Sequence, residues 1–308
     1  MGKKLGLGLG ILLGILSIPL ALFYRAEIPL EELLPRYADD ASQFPELAGQ
    51  NLHVKDEGDG PCLLLIHGTA ASLHTWDGWV EELRSEFRLL RLDLPGFGLS
   101  GPHPSGDHGA DTRLAAIEAV LDHAGVDSCS LAGNSLGGFL AWRFVLRWPE
   151  RVERLVLIDA AGYPRQGDGG GNVLSLARIP VLNTLLTRIT PRHLVEKGLR
   201  QVYGDPSKFT PELADRYYDL LLREGNRQAL VGGGSRGESQ IHRLGEIHHP
   251  TLILWGALDS WIPVEDAHRF HDDLPNAQLR VYEGVGHVPM EEIPIQTARD
   301  AREFLLAP

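Results

Sequence analysis

The sequence predicts an α/β protein built on a doubly wound, mostly parallel sheet, and three observations carry that prediction. Strand-like runs rich in apolar residues recur at 62–66, 87–92, 129–132, 152–158 and 251–255, and the run at 62–66 is wholly apolar. Strands covered on both faces read this way. Helix-like segments separate most of these runs, so strand and helix alternate. The run at 129–132 leads into Gly133-Asn134-Ser135-Leu136-Gly137-Gly138, followed by a helix-like segment at 139–148. A strand, a glycine-flanked serine and a helix in that order are the context of a nucleophile elbow.

From the start, Lys3 and Lys4 precede Leu5–Phe23, nineteen residues without a charge. As a helix this run would be roughly 28 Å long, close to the hydrocarbon thickness of a bilayer. It is longer than the apolar core of a secretory signal and lacks a clear small-x-small cleavage site. The expectation is one membrane anchor over 5–23, with the N-terminus inside and the rest of the chain outside the cytoplasm. The competing expectation is a signal cleaved near Ala26, freeing a secreted protein; the run's four glycines and Pro19 favour it.

Residues 29–43 are charged and proline-bounded, and read as a linker or a short docking helix. Residues 44–47 and 52–54, around Gly49-Gln50-Asn51, suggest a hairpin. The strand at 62–66 ends in His67-Gly68-Thr69 and a helix at 73–86 follows. The strand at 87–92 ends in Asp93-Leu94-Pro95-Gly96-Phe97-Gly98, ahead of a helix at 110–124. After the elbow and the strand at 152–158, residues 163–249 break the alternation. They hold amphipathic stretches at 174–189 and 212–223, a glycine run at 232–234 and no convincing strand. Alternation resumes with a strand at 251–255, a helix at 263–273, a strand at 278–282 and a last helix at 290–306. The domain reading is therefore anchor or signal 1–28, linker 29–43, core 44–162 with 250–308, and a helical cap at 163–249.

The chain has 41 acidic and 29 basic residues, a formal net charge of −12, which argues against a nucleic-acid partner. Its two cysteines, Cys62 and Cys129, have no zinc or CxxC spacing. The pairs His248-His249 and His103/His108 lack ligand spacing. The glycines at 133, 137 and 138 serve the elbow rather than a phosphate. No cofactor and no metal site is indicated.

A serine hydroxyl needs a base to attack at neutral pH. His287, in the loop after the last strand, is the candidate base. Asp259, in the loop after the strand at 251–255, is the candidate carboxylate that would hold the imidazole tautomer. Both loops follow strands at the carboxyl edge, where such sheets place ligands and where Ser135 also leaves its strand. Asp159 is a lesser rival for the role of Asp259. Asp93 is expected to fix the loop at 94–98. Two backbone amides would face an oxyanion: Leu136 after the nucleophile, and Thr69 after the strand ending at Ile66, with Gly68 allowing close approach.

Over residues 44–306 these motifs resemble the α/β-hydrolase superfamily: His67-Gly68, Asp93-Leu94-Pro95-Gly96-Phe97-Gly98-Leu99-Ser100, Gly133–Gly138, Gly256-x-x-Asp259 and Gly286-His287, in the order Ser, Asp, His. The resemblance implies an eight-stranded, mostly parallel sheet with a helical cap between strands six and seven. It implies an esterase- or lipase-like enzyme of the serine branch, acting through an acyl-enzyme on a small, apolar ester. A carbon–carbon bond hydrolase or cofactor-free perhydrolase on the same triad is the alternative, and a non-catalytic binding protein of this fold is a third. Relatives that carry aspartate in place of Ser135, the haloalkane dehalogenases and epoxide hydrolases, are disfavoured.

Overall fold

The computed structural model describes residues 24–164, 187–232 and 237–307. Eight strands form one sheet: β1 (Ser42–Gln43), β4 (Val54–Glu57), β5 (Cys62–Ile66), β6 (Arg88–Leu92), β7 (Cys129–Asn134), β8 (Val152–Ile158), β9 (Thr251–Gly256) and β10 (Ala277–Tyr282). Their spatial order is β1-β4-β6-β5-β7-β8-β9-β10. From β6 to β10 every neighbouring pair is parallel, and β4 and β1 close one edge antiparallel.

The apolar runs are buried on both faces because helices cover both. Leu64 and Ile66 of β5, with Ile253 and Trp255 of β9, join one core cluster; Leu63, Leu65, Leu252 and Leu254 join the other. On the first face lie α3 (Ala110–His123), α4 (Leu136–Arg147) and α8 (Val264–Asp273), contributing Ile117, Phe144 and Phe270. On the second lie α2 (Asp77–Leu83) and α10 (Pro294–Leu305), contributing Trp79 and Phe304. Truncating one such buried leucine to alanine costs about 2–5 kcal/mol.

The hairpin at the start is tighter than the sequence suggests. β2 (Glu46–Leu47) pairs with β3 (Gln50–Asn51) around Ala48 and Gly49, whose φ values are 49° and 82°. A two-residue turn with both φ positive matches the twist of the flanking strands. The last helix is also broken. It is divided into α9 (Pro289–Glu292) and α10, because Pro294 forces the preceding Ile293 out of the helical region, to φ −134° and ψ 57°.

Between β8 and β9, the sixth and seventh strands of the sheet, the described residues hold helices and no strand. These are α5 (Arg192–Arg200), α6 (Pro211–Leu222) and α7 (Asn226–Gly232). The amphipathic stretch expected at 174–189 lies outside the described residues up to 186, as does most of the glycine run. The segment expected as a linker or a short docking helix docks as α1 (Leu30–Tyr37) on α6. Leu33 packs with Leu220, and Tyr37 donates to Asp219 at 2.6 Å.

The expectation of a membrane anchor, with a catalytic domain held outside the cytoplasm, is corrected. Among the described residues no helix is long and apolar enough to cross a membrane. Leu5–Phe23 itself lies outside the described residues, and its four glycines and Pro19 are poor helix formers. The chain that follows is not a free tether. Arg25 N donates to Arg188 O at 3.1 Å and Ile28 N to Leu222 O at 2.9 Å, which pins residues 25–28 against the insertion.

Candidate active site

Ser135 sits where β7 turns into α4, with φ 55° and ψ −112°. A non-glycine residue held there stores about 1–3 kcal/mol of strain, and surrounding structure must hold it. Here Ser135 N donates to Ile158 O and Ala161 N donates to Ser135 O, each at 3.0 Å. The flanking glycines are required by contact. A Cβ on Gly133 would stand 2.4 Å from the Gly137 carbonyl, and one on Gly137 would stand 2.0 Å from Ile66 O. Ser135 and Leu136 remain half-buried while the residues around them are buried.

Leu136 opens α4, so its amide is among the helix's unpartnered N-terminal donors. Thr69 lies half-buried in the loop after β5. Beside it, a Cβ on Gly68 would stand 3.2 Å from Ser135 Cβ and 2.9 Å from Asn134 Oδ1, so this loop lies against the serine. Asn134 was singled out by no sequence argument beyond its place in the motif. Its Nδ2 donates to Ile158 O at 3.2 Å and His287 O at 3.0 Å, tying the serine's strand to the histidine's loop.

His287 Nδ1 lies 2.6 Å from Asp259 Oδ2, and the two residues are 3% and 8% exposed. An ionised carboxylate only accepts, so Nδ1 carries the proton and Nε2 is left as the acceptor. Asp259 Oδ1 takes the amides of Trp261 at 2.7 Å and Ile262 at 3.0 Å. The two loops meet because Gly256 lacks a side chain: a Cβ there would stand 1.9 Å from Gly286 O, and one on Gly286 would stand 2.2 Å from Val202 O of the insertion. Trp261 tilts its ring against His287, with centroids 5.6 Å apart. Glu292 accepts from Gly286 N at 2.9 Å, Gly204 N at 3.0 Å and Asp205 N at 2.7 Å, joining the histidine loop to the insertion. An acid in the turn of a proline-broken helix gives no signal by which the sequence could have revealed this.

Asp93 fixes the loop that follows it. Its Oδ1 accepts from Leu73 N and its Oδ2 from Leu99 N, each at 2.7 Å, and His53 Nδ1 lies 2.8 Å from Oδ2. Asp159 stands at the end of β8, fully buried with φ 44°. One donor or acceptor atom from each of Asp159, Asp259 and His287 falls within 4.8 Å of the others. The His287 and Asp259 atoms are already committed to each other and to backbone amides. His103 Nε2 lies 3.0 Å from Ala48 O, His108 accepts from His103 N at 3.0 Å, and His249 Nε2 lies 2.9 Å from Pro149 O.

Residues 61–294 match the family described as alpha/beta hydrolase fold. A 2-hydroxy-6-oxononadienedioate/2-hydroxy-6-oxononatrienedioate hydrolase of Pseudomonas putida is 30% identical over 252 residues, covering 77% of this chain and 85% of that protein. A thermophilic esterase of Thermogutta terrifontis superimposes with a TM-score of 0.73 at 25% identity, over 85% of this chain and 98% of its own. A membrane phospholipase A described as a bacterial virulence factor superimposes with a TM-score of 0.72 at 27% identity, over 98% of both chains.

Proposed function

The chain belongs to the α/β-hydrolase fold family, and from that premise we propose that it is a serine hydrolase of carboxylic esters with an apolar acyl part. The observation that carries the reading is the buried 2.6 Å contact between His287 and Asp259, tied by Asn134 to the strained turn that presents Ser135.

In this reading Ser135 Oγ attacks the ester carbonyl as its proton passes to His287 Nε2. The imidazolium that forms is stabilised through Nδ1–H by Asp259. The amides of Leu136 and Thr69 receive the oxyanion. Collapse of the tetrahedral intermediate breaks the bond to the alkoxy oxygen, which leaves as an alcohol with the proton from His287. Water, deprotonated by His287, then attacks the acyl carbon. Breakdown returns the proton to Ser135 and releases the acid.

One observation of the structure supports an ester with an apolar acyl part. Leu258 and Trp261, on either side of Asp259, are exposed apolar side chains that an acyl chain could lie against. The likeness to an esterase and a phospholipase A adds to this. The Pseudomonas putida relative supports a second reading, carbon–carbon bond hydrolysis on the same residues. Assays of p-nitrophenyl esters of increasing chain length, beside a 2-hydroxy-6-oxodienoate, decide between them. Ester turnover that is lost in Ser135→Ala, with the dienoate untouched, is the expected result. Faster turnover of the dienoate would make the second reading the right one.

A further inference from the structure

We propose that Asp159 is a positioning residue, a buried carboxyl that keeps its proton and donates it in a hydrogen bond to the carboxylate of Asp259. The inference rests on the reading of Asp259 and His287 as the charge pair behind Ser135, and adds a fourth member to it.

Geometry makes the case. Asp159 is 0% exposed and hangs from the end of β8, where its own amide donates to Leu254 O at 3.1 Å. Its Oδ1 accepts from Gly256 N at 3.1 Å. Its Oδ2 is buried and takes no hydrogen bond from any described protein donor. An ionised carboxylate left with a bare buried oxygen is costly; a protonated one needs an acceptor there. A carboxyl oxygen of Asp259 lies within 4.8 Å of one of Asp159, with His287 completing the cluster, so Asp259 is the acceptor within reach. Two carboxyls this close in a dry site share one proton between them. The proton goes to the partner with fewer donors. Asp259 already takes two amides and the imidazole N–H, whereas Asp159 takes one amide.

The surroundings agree from every side. Asp259 comes from the loop after β9, His287 from the loop after β10, and Glu292 from α9. From the serine's side, Asn134 donates only to main-chain oxygens. Burial first, and then the charge of Asp259, push the Asp159 carboxyl well above the ordinary carboxylate range. Asp159 holds a strained φ of 44°, and its side chain reaches Gly256 N at the end of β9.

The function of such a group is to fix Asp259 and soften its charge. With the donor gone, Asp259 would carry more negative charge against His287 and hold the imidazolium more tightly. The base would then stay protonated to higher pH.

The test is infrared difference spectroscopy of the intact protein at pH 7, wild type against Asp159→Asn. It is paired with pH profiles of ester kcat/KM for wild type, Asp159→Asn and Asp159→Ala. The proposal expects a protonated-carboxyl C=O band in wild type that Asp159→Asn lacks. It expects Asp159→Asn, which keeps a donor, to hold kcat within about threefold and leave the acid limb in place. It expects Asp159→Ala to move that limb upward by about half a pH unit or more and to lower kcat about tenfold, with KM little changed. No band difference at pH 7 would overturn it. So would a loss of a thousandfold or more in Asp159→Asn, which would mean that an ionised Asp159 is required, or an unmoved acid limb in Asp159→Ala, which would mean that the side chain only fills space. If Asp159→Ala does not fold, the spectrum and the Asn variant still decide. The spectrum reads the proton whether or not Ser135 is the nucleophile, so failure of the triad reading shows separately, as activity retained in Ser135→Ala.

Discussion

Asp93 and Asp159 each follow a parallel strand at the carboxyl edge of the same sheet, and each is 0% exposed. Their environments push them in opposite directions. Burial would raise Asp93, yet the histidines that face it, His53 first with its hydrogen bond, outweigh burial and hold that carboxyl well below the ordinary range. Burial also raises Asp159, and Asp259 adds to the rise. Burial alone therefore does not set the charge of a strand-end aspartate; the sign of what faces it does. The Asp93 end of the edge is a structural knot, satisfied by Leu73 N, Leu99 N and His53. The Asp159 end, beside Asp259 and His287, is the end we assign to chemistry.

The comparison breaks most decisively if the chemistry lies elsewhere. Ser135→Ala and His287→Ala should each lower ester kcat about 10⁴-fold, the double variant should be little worse, and Asp259→Asn should cost a comparable order, because the three act as one unit. Steady-state kinetics on folded protein checks this, and additive losses in the double variant would count against the assignment. At the other end, Asp93→Asn should leave the folded fraction nearly as active. It should destabilise the fold by about 3–5 kcal/mol, the scale for removing one partner of a buried charged network. Denaturant unfolding gives the number, and a kcat loss exceeding the folding loss would erase the contrast.

The pH dependence sharpens it. Asp93 has a depressed folded pKa, so its stabilisation is fully present above the unfolded value of about 4 and is lost as pH falls through the folded value. The stability gap between wild type and Asp93→Asn should therefore narrow below about pH 4. Asp159 has a raised folded pKa, so its contribution is present below about pH 4 and is lost as pH rises towards the folded value. Asp159→Asn should then gain on wild type as pH rises from about 4 to 8, the smallest effect of the set, visible as a Tm difference that grows with pH. A gap that moves the same way for both aspartates would show that their environments do not differ as described.

Much of this was legible in the sequence where a local pattern encodes it. Leu63, Leu64, Leu65 and Ile66 face alternate cores, so an unbroken apolar run marks a parallel strand covered on both sides. Gly133 and Gly137 mark the turn because backbone approaches within 2.4 Å of where their side chains would be. Asp259 and His287 stood out because each follows a strand at one edge. What escaped depends on contacts between segments distant in sequence. Asn134 reaches a carbonyl 153 positions away, and Glu292 gathers amides from the insertion and the histidine loop. The break at Ile293 was readable from Pro294, and a helix drawn straight through it ignored the restriction on the preceding residue. Hydropathy over Leu5–Phe23 suggested a span that no helix among the described residues supplies.

In the proposed mechanism Ser135 carries the acyl group. Rapid quenching of the full chain with a p-nitrophenyl ester, followed by mass analysis of its peptides, tests it most directly. The expected result is a burst of p-nitrophenol and an acyl mass on the peptide containing Ser135, both absent in Ser135→Ala. Ester turnover with no adduct on that peptide, and undiminished in Ser135→Ala, would contradict it.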